Sequence, residues 1–140
     1  MKILTNLPAI DEVVKEFDIR NAICIDLGEL IVFSGFAGLD LATGTISVGP
    51  IEKHANDSLD CYQHILESIG LSLDHVVKVN AFLADPVADF PGWNETFKQR
   101  FRAPYPCRTT VGAPLVAGRI ELEIQAARSS RLAAEIVTPA

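Results

Sequence analysis

Basic residues and cysteines are scarce in this chain, and it holds no long apolar run. No stretch approaches the roughly 18 consecutive apolar residues that a spanning helix needs, so no membrane partner is expected. Twelve Lys and Arg face 18 Asp and Glu, a formal charge of −6. With no Lys/Arg run, that balance argues against broad binding to a phosphate backbone, which needs a positive footprint, and no nucleic-acid partner is expected. One well-placed arginine can still hold a small anion. The three cysteines, Cys24, Cys61 and Cys107, are odd in number and widely spaced, which gives neither a zinc knuckle nor a disulfide framework. A reducing, cytoplasmic setting follows as the expectation. The opening MKILTNLPAIDEVVKEF is acidic and lacks a hydrophobic core, so no signal peptide is expected. GxGxxG, GxxxxGKS/T, GxSxG and HExxH are all missing, and neither a cofactor nor a metal is expected. His54 and His64 stand on one helix but point in different directions, and His75 opens a strand, so all three are read as exposed or capping residues.

What is present is ample apolar content. A chain of 140 residues, 49% hydrophobic, fits one domain over residues 1–140. Residues 19–26 and 30–33 read as strands, 36–44 as a loop, and 45–48 as a short third strand. Then the period changes. Ile51, Ala55, Leu59, Tyr62, Leu66 and Ile69 recur at intervals of three and four, one face of a helix that Gly70 would close. Residues 76–84 return to alternation. Asp85-Pro86 has the chemistry of a cap and a first-turn proline, and Phe90, Trp93, Phe97 and Phe101 form a second, aromatic helical stripe. Residues 108–112 and 119–127 read as closing strands. The order predicts an α+β fold, a mixed β-sheet with two helices packed on one face. Residues 129–140 form a tail, either a short strand or loose chain.

Arg108 and Glu123 are the chemically suggestive pair. If 108–112 is a strand, Arg108 and Thr110 share one face. Joined to 119–127 as a hairpin, it could set a guanidinium fork and a carboxylate at opposite sides of a small pocket. The fork would hold a substrate carboxylate, and the glutamate would position water or move a proton. The plainer reading is a cross-strand salt bridge or a solvated face. Cys107, beside Arg108 but with no histidine neighbour, reads as a buried or edge cysteine. Trp93 reads as core or interface, and Asn94 as a possible pocket donor.

Taken in order, VFSG (32–35), GLSLDHVVKVNAFLAD (70–85), WNETFKQRF (93–101), CRTTVG (107–112) and ELEIQAA (121–127) resemble the YjgF/RidA family of reactive enamine/imine deaminases, also described as L-PSP endoribonucleases. The resemblance spans about residues 22–128. It implies a chorismate-mutase-like subunit in a homotrimer, with ligand clefts between subunits. It further implies that Arg108 binds the substrate carboxylate and that Glu123 orients the attacking water. By the same resemblance, Thr110 donates a backbone N–H, Gly35 lines the cleft, and Asn94 matches the family's helix asparagine.

Three positions depart from the family pattern. Asn21 stands where a tyrosine lines the pocket, Phe36 replaces the glutamine after the SG pair, and Phe97 replaces a tyrosine. Arg20 adds a cation near that wall, with a surface role favoured. The implied reaction is hydrolysis of an enamine or 2-imino acid to a 2-keto acid and ammonia. Its partners would be a small 2-imino or 2-keto acid and two further copies of the chain. The alternative is a non-catalytic trimer that senses a 2-keto acid or another carboxylate. An endoribonuclease or translation inhibitor is disfavoured by the charge and by the lack of a histidine base near Arg108.

Overall fold

The computed structural model describes residues 1–140. Its elements in chain order are β1 (Lys2–Leu4), α1 (Asp11–Glu16), β2 (Cys24–Asp26), β3 (Leu30–Phe33), β4 (Phe36–Ala37), β5 (Leu39–Asp40), β6 (Thr45–Ile46), α2 (Ile51–Ser68), β7 (Val76–Leu83), α3 (Pro86–Arg100), β8 (Cys107–Gly112) and β9 (Ile120–Ala127). This is an α+β fold with a mixed sheet, as expected, but with three helices rather than two. The extra one, α1, lies in the stretch before residue 19 that the periodicity left unassigned. A single amphipathic turn and a half is too short for a 3.6-residue period to stand out.

The main sheet runs β1-β2-β3-β9-β7-β8, and β4 continues beyond β3 along the same side of β9. Only β7 and β8 are parallel, because α3 carries the chain back across the sheet between them. The 36–44 segment, expected to be a loop, holds β4 and β5, and β5 pairs as a small hairpin with β6, which lies in the 45–48 stretch expected as a strand. Two-residue strands lie below what an alternation pattern can reveal.

Helix α2 buries Ile51, Ala55, Leu59, Tyr62 and Leu66, the face read from the sequence, and Gly70 takes φ +78° just beyond its end. Asp85 caps α3 by accepting from the Ala88 N–H (3.1 Å), with Pro86 at its first position. The two helices are joined by Arg100, which donates to Asn56 Oδ1 (2.9 Å) and Asp60 Oδ1 (2.8 Å). On β7, Val79, Ala81 and Leu83 are buried beneath the helices, as are Ile120, Leu122, Ile124 and Ala126 on β9. The alternate residues, among them Asn80, Phe82, Glu121, Glu123 and Gln125, lie on the sheet's other, uncovered face.

His54 corrects its expected exposure. It is buried in α2, where its Nδ1 accepts the Arg119 backbone N–H (3.4 Å), and burial holds its pKa low. His75 does cap, accepting from Ser72 N (3.1 Å). The tail after β9 forms one short helical turn, Arg131–Ala133, whose Arg131 donates to the carbonyls of Leu73, Asp74 and Val76.

Candidate functional site

Arg108 and Glu123 do not face each other. β8 and β9 are not a hairpin, because β7 lies between them in the sheet. Arg108 pairs with Val79 and Glu123 pairs with Asn80, adjacent residues of β7, so the two side chains leave opposite faces of the sheet. Sequence spacing could not show this, since inserting β7 requires the long crossover through α3.

On the helix-covered face, the Arg108 guanidinium lies 4.4 Å from the centroid of Phe97 and 5.7 Å from that of Phe90, both on α3. Asn94 shares that stripe of α3, one turn from each ring. The Thr110 hydroxyl accepts from Trp93 Nε1 (3.1 Å), which ties β8 to the buried indole. Arg108 differs from every other arginine in the chain. Arg20, Arg100, Arg102, Arg119 and Arg128 pair with aspartates, and Arg131 is satisfied by backbone carbonyls. Arg108 Nη1 alone is buried without any hydrogen-bond partner, and burial lowers its pKa. A partly desolvated, unpaired guanidinium on an edge strand is suited to hold a carboxylate, because leaving it empty costs the hydrogen bonds that water would have made.

Asn21, Gly35 and Phe36 gather elsewhere, around an apolar chamber of about 260 Å³. Its polar lining residues are Asn21, Ser34 and Glu121, beside Gly35, with Asn21 Nδ2 donating to Ser34 Oγ (3.2 Å). A side chain at Gly35 would stand 3.2 Å from Glu121 Cδ, so the absence of a side chain keeps that carboxyl's approach open. Phe36 borders the chamber while its ring packs edge-on against Tyr62 (5.2 Å).

Glu121 is a candidate that the sequence alone did not single out. It pairs with Ala37 on β4 and borders the chamber, whereas Glu123 is held by Asn80 Nδ2 (3.2 Å). Alternation places both glutamates on one face of β9, and only the register with β4 tells them apart. Burial, reinforced by the nearby Glu123 charge, raises the Glu121 pKa. A carboxyl whose pKa is raised beside an apolar cavity is a candidate proton-transfer group. Cys107 is exposed on the edge strand, and Arg20 is exposed and pairs with Asp18.

One chain therefore presents two separate candidate half-sites, an unpaired guanidinium at the β8 edge and an apolar chamber beside β4 with one carboxyl in its lining. Comparison with known proteins bears on what they do. The model of the family described as endoribonuclease L-PSP matches residues 20–128. A 2-iminobutanoate/2-iminopropanoate deaminase of Dermatophagoides farinae is 31% identical over 101 residues, 72% of this chain and 78% of that protein. The human protein of the same name is 35% identical over 95 residues, covering 66% and 69%. Among solved structures, RidA from an Antarctic Psychrobacter superposes with a TM-score of 0.70 at 30% identity, over 76% of this chain and 87% of that one. The Escherichia coli YjgF gene product superposes with a TM-score of 0.71 at 31% identity, over 78% and 88%.

Proposed function

This chain belongs to the endoribonuclease L-PSP (YjgF/RidA) family, which includes reactive-intermediate deaminases, and on that premise we propose that it hydrolyses 2-imino acids or their enamine tautomers to 2-keto acids and ammonia. The observation that carries the reading is the unpaired Arg108 guanidinium, the one arginine with no partner in its own chain. It would grip the substrate carboxylate through two parallel charge-assisted bonds, set by the flanking aromatic rings.

Little further chemistry is required. Water adds to the C=N carbon, a proton moves to nitrogen, and ammonia leaves as the C=O forms. A site that holds the carboxylate, places one water and supplies one carboxyl group suffices. Glu121 is the carboxyl we assign to the water, because it lines the chamber at Gly35. That assignment moves the role by one alternation from Glu123. Thr110 and Asn94 would complete the receptor, and Asn21 and Phe36 the chamber wall.

Since the half-sites do not meet within one chain, we further propose that they meet between copies in a homotrimer. The sheet's uncovered face supports an assembly. Ile3, Leu30 and Val111 on it are exposed, and the partly covered Ile25, Val32 and Phe82 lie on the same side. The test couples an amino-acid oxidase, which generates 2-imino acids, to semicarbazide, which traps them. Less trapped product with the wild type, and no reduction with Arg108→Ala, is the expected result. A wild type that leaves trapping unchanged for every amino acid would favour a carboxylate-sensing trimer.

A further inference from the structure

The chamber beside Glu121 is built in part by a segment outside the residues that match the family model, which supplies five of its 17 lining residues. Of its lining, Ile10, Val13, Val14, Phe17 and Ile19 come from α1 and its flanks, ahead of residue 20 where the match begins. Val116, from the β8–β9 loop, lines it as well. This N-terminal wall is anchored rather than loose. Ile10 and Val13 are buried in the main core, and the Ile23 N–H donates to the Leu4 carbonyl (2.7 Å), holding β1 and the incoming chain in place. Phe17 and Ile19, by contrast, remain partly exposed at the rim.

An apolar cavity needs an apolar occupant, since water bound there would lack hydrogen-bond partners. An enclosed apolar space of about 150 Å³ accepts a benzene ring. The chamber here is about 260 Å³, and Glu121 is the only ionisable group in its lining. That mostly apolar lining with one carboxyl beside Gly35 fits a 2-imino acid with its reacting carbon at Gly35 and Glu121 and its side chain against the apolar residues of α1. A methyl or ethyl side chain would leave most of the space unfilled.

We propose that α1 and its flanks form a side-chain pocket, and that the preferred substrates are 2-imino acids with large branched or aromatic side chains, such as those derived from leucine or phenylalanine. The inference rests on the deaminase reading above and adds the substrate class to it. Each extra methylene in a filled apolar pocket is worth roughly tenfold or more in kcat/KM.

The oxidase-coupled trapping assay, run on imino acids from alanine, leucine and phenylalanine, gives the ratio of large to small. We expect that ratio to exceed about tenfold. Val14→Trp, which fills the chamber, should lower the ratio toward unity, and Phe17→Ala, at the partly exposed rim, should shift it as well. Circular dichroism confirms that each variant is folded. A wild type that hydrolyses the alanine-derived imino acid as fast as the others overturns the pocket while leaving the deaminase intact. Unchanged ratios in both folded variants overturn it equally. If no imino acid is hydrolysed, the deaminase reading fails by itself. Calorimetric binding of the keto acid of leucine against pyruvate then decides the pocket: tighter binding of the former supports it, and equal or weaker binding overturns it.

Discussion

Arg108 and Glu123 occupy neighbouring rows of one sheet and point away from each other, one beneath α3 and one onto the uncovered face. Val79 and Asn80, consecutive on β7, separate them. Within one chain neither Glu121 nor Glu123 shares a face of the sheet with Arg108, which is why the proposed site draws its halves from different copies of the chain.

Arg108→Ala should abolish imino-acid hydrolysis and 2-keto acid binding together. Arg108→Lys keeps the charge but loses the planar fork, so binding should fall by about one to two orders of magnitude. Calorimetry with pyruvate or a larger 2-keto acid, beside the trapping assay, measures both. Wild-type turnover in either variant would remove Arg108 from the mechanism.

Glu121→Gln should reduce kcat by roughly 10²–10⁴-fold with little change in keto-acid binding, the signature of a lost proton-transfer group. Glu123→Gln, which keeps a side chain able to hydrogen-bond Asn80, should have a much smaller effect. The reverse ranking would return the water to Glu123, as the family resemblance first implied.

Stability should carry the mark of Glu121 as well. Its folded-state pKa is raised above the ordinary 4.5 by burial and then by Glu123. Ionisation is thus easier in the unfolded chain, and the stability present below the ordinary pKa is lost as pH rises through the raised one. Glu121→Gln should therefore unfold at a higher temperature than wild type at neutral pH, with the difference closing in acid. Thermal melts at a series of pH values test the sign, and a gap that widens in acid would contradict it.

Tyr62 lies wholly buried, its hydroxyl 2.7 Å from the Ser34 carbonyl and 2.6 Å from that of Leu122. It fixes the chain at the break between β3 and β4, just where Gly35 meets the chamber. Tyr62→Phe should cost about 1–3 kcal/mol in urea unfolding, because carbonyls lose their donor. It should also weaken keto-acid binding if that break shapes the site.

Light scattering after size exclusion should give the mass of three chains. Val111→Glu places a charge among the exposed apolar residues of the sheet's uncovered face and should lower the mass to one chain. Loss of hydrolysis should accompany dissociation, since each cleft would lose one of its halves. A fully active monomer would refute the shared site.

The sequence by itself determined the α+β class, both long helices with their caps, the closing strands, and the family, because each depends on local periodicity or on ordered motifs. Asp85 with Pro86, Gly70 at the end of α2, and the strict alternation along β9 are local rules that tertiary context did not override. The sequence also marked Arg108, Gly35 and Asn94, as individual residues rather than as a geometry. Only the tertiary structure decided which strand separates Arg108 from Glu123, since a crossover partner cannot be read from spacing. Likewise, the choice between Glu121 and Glu123 depends on the register of a two-residue strand, and the chamber depends on a helix too short to show a period. Those are properties of non-local pairing, where residues far apart in the chain are set side by side by the packing of the whole.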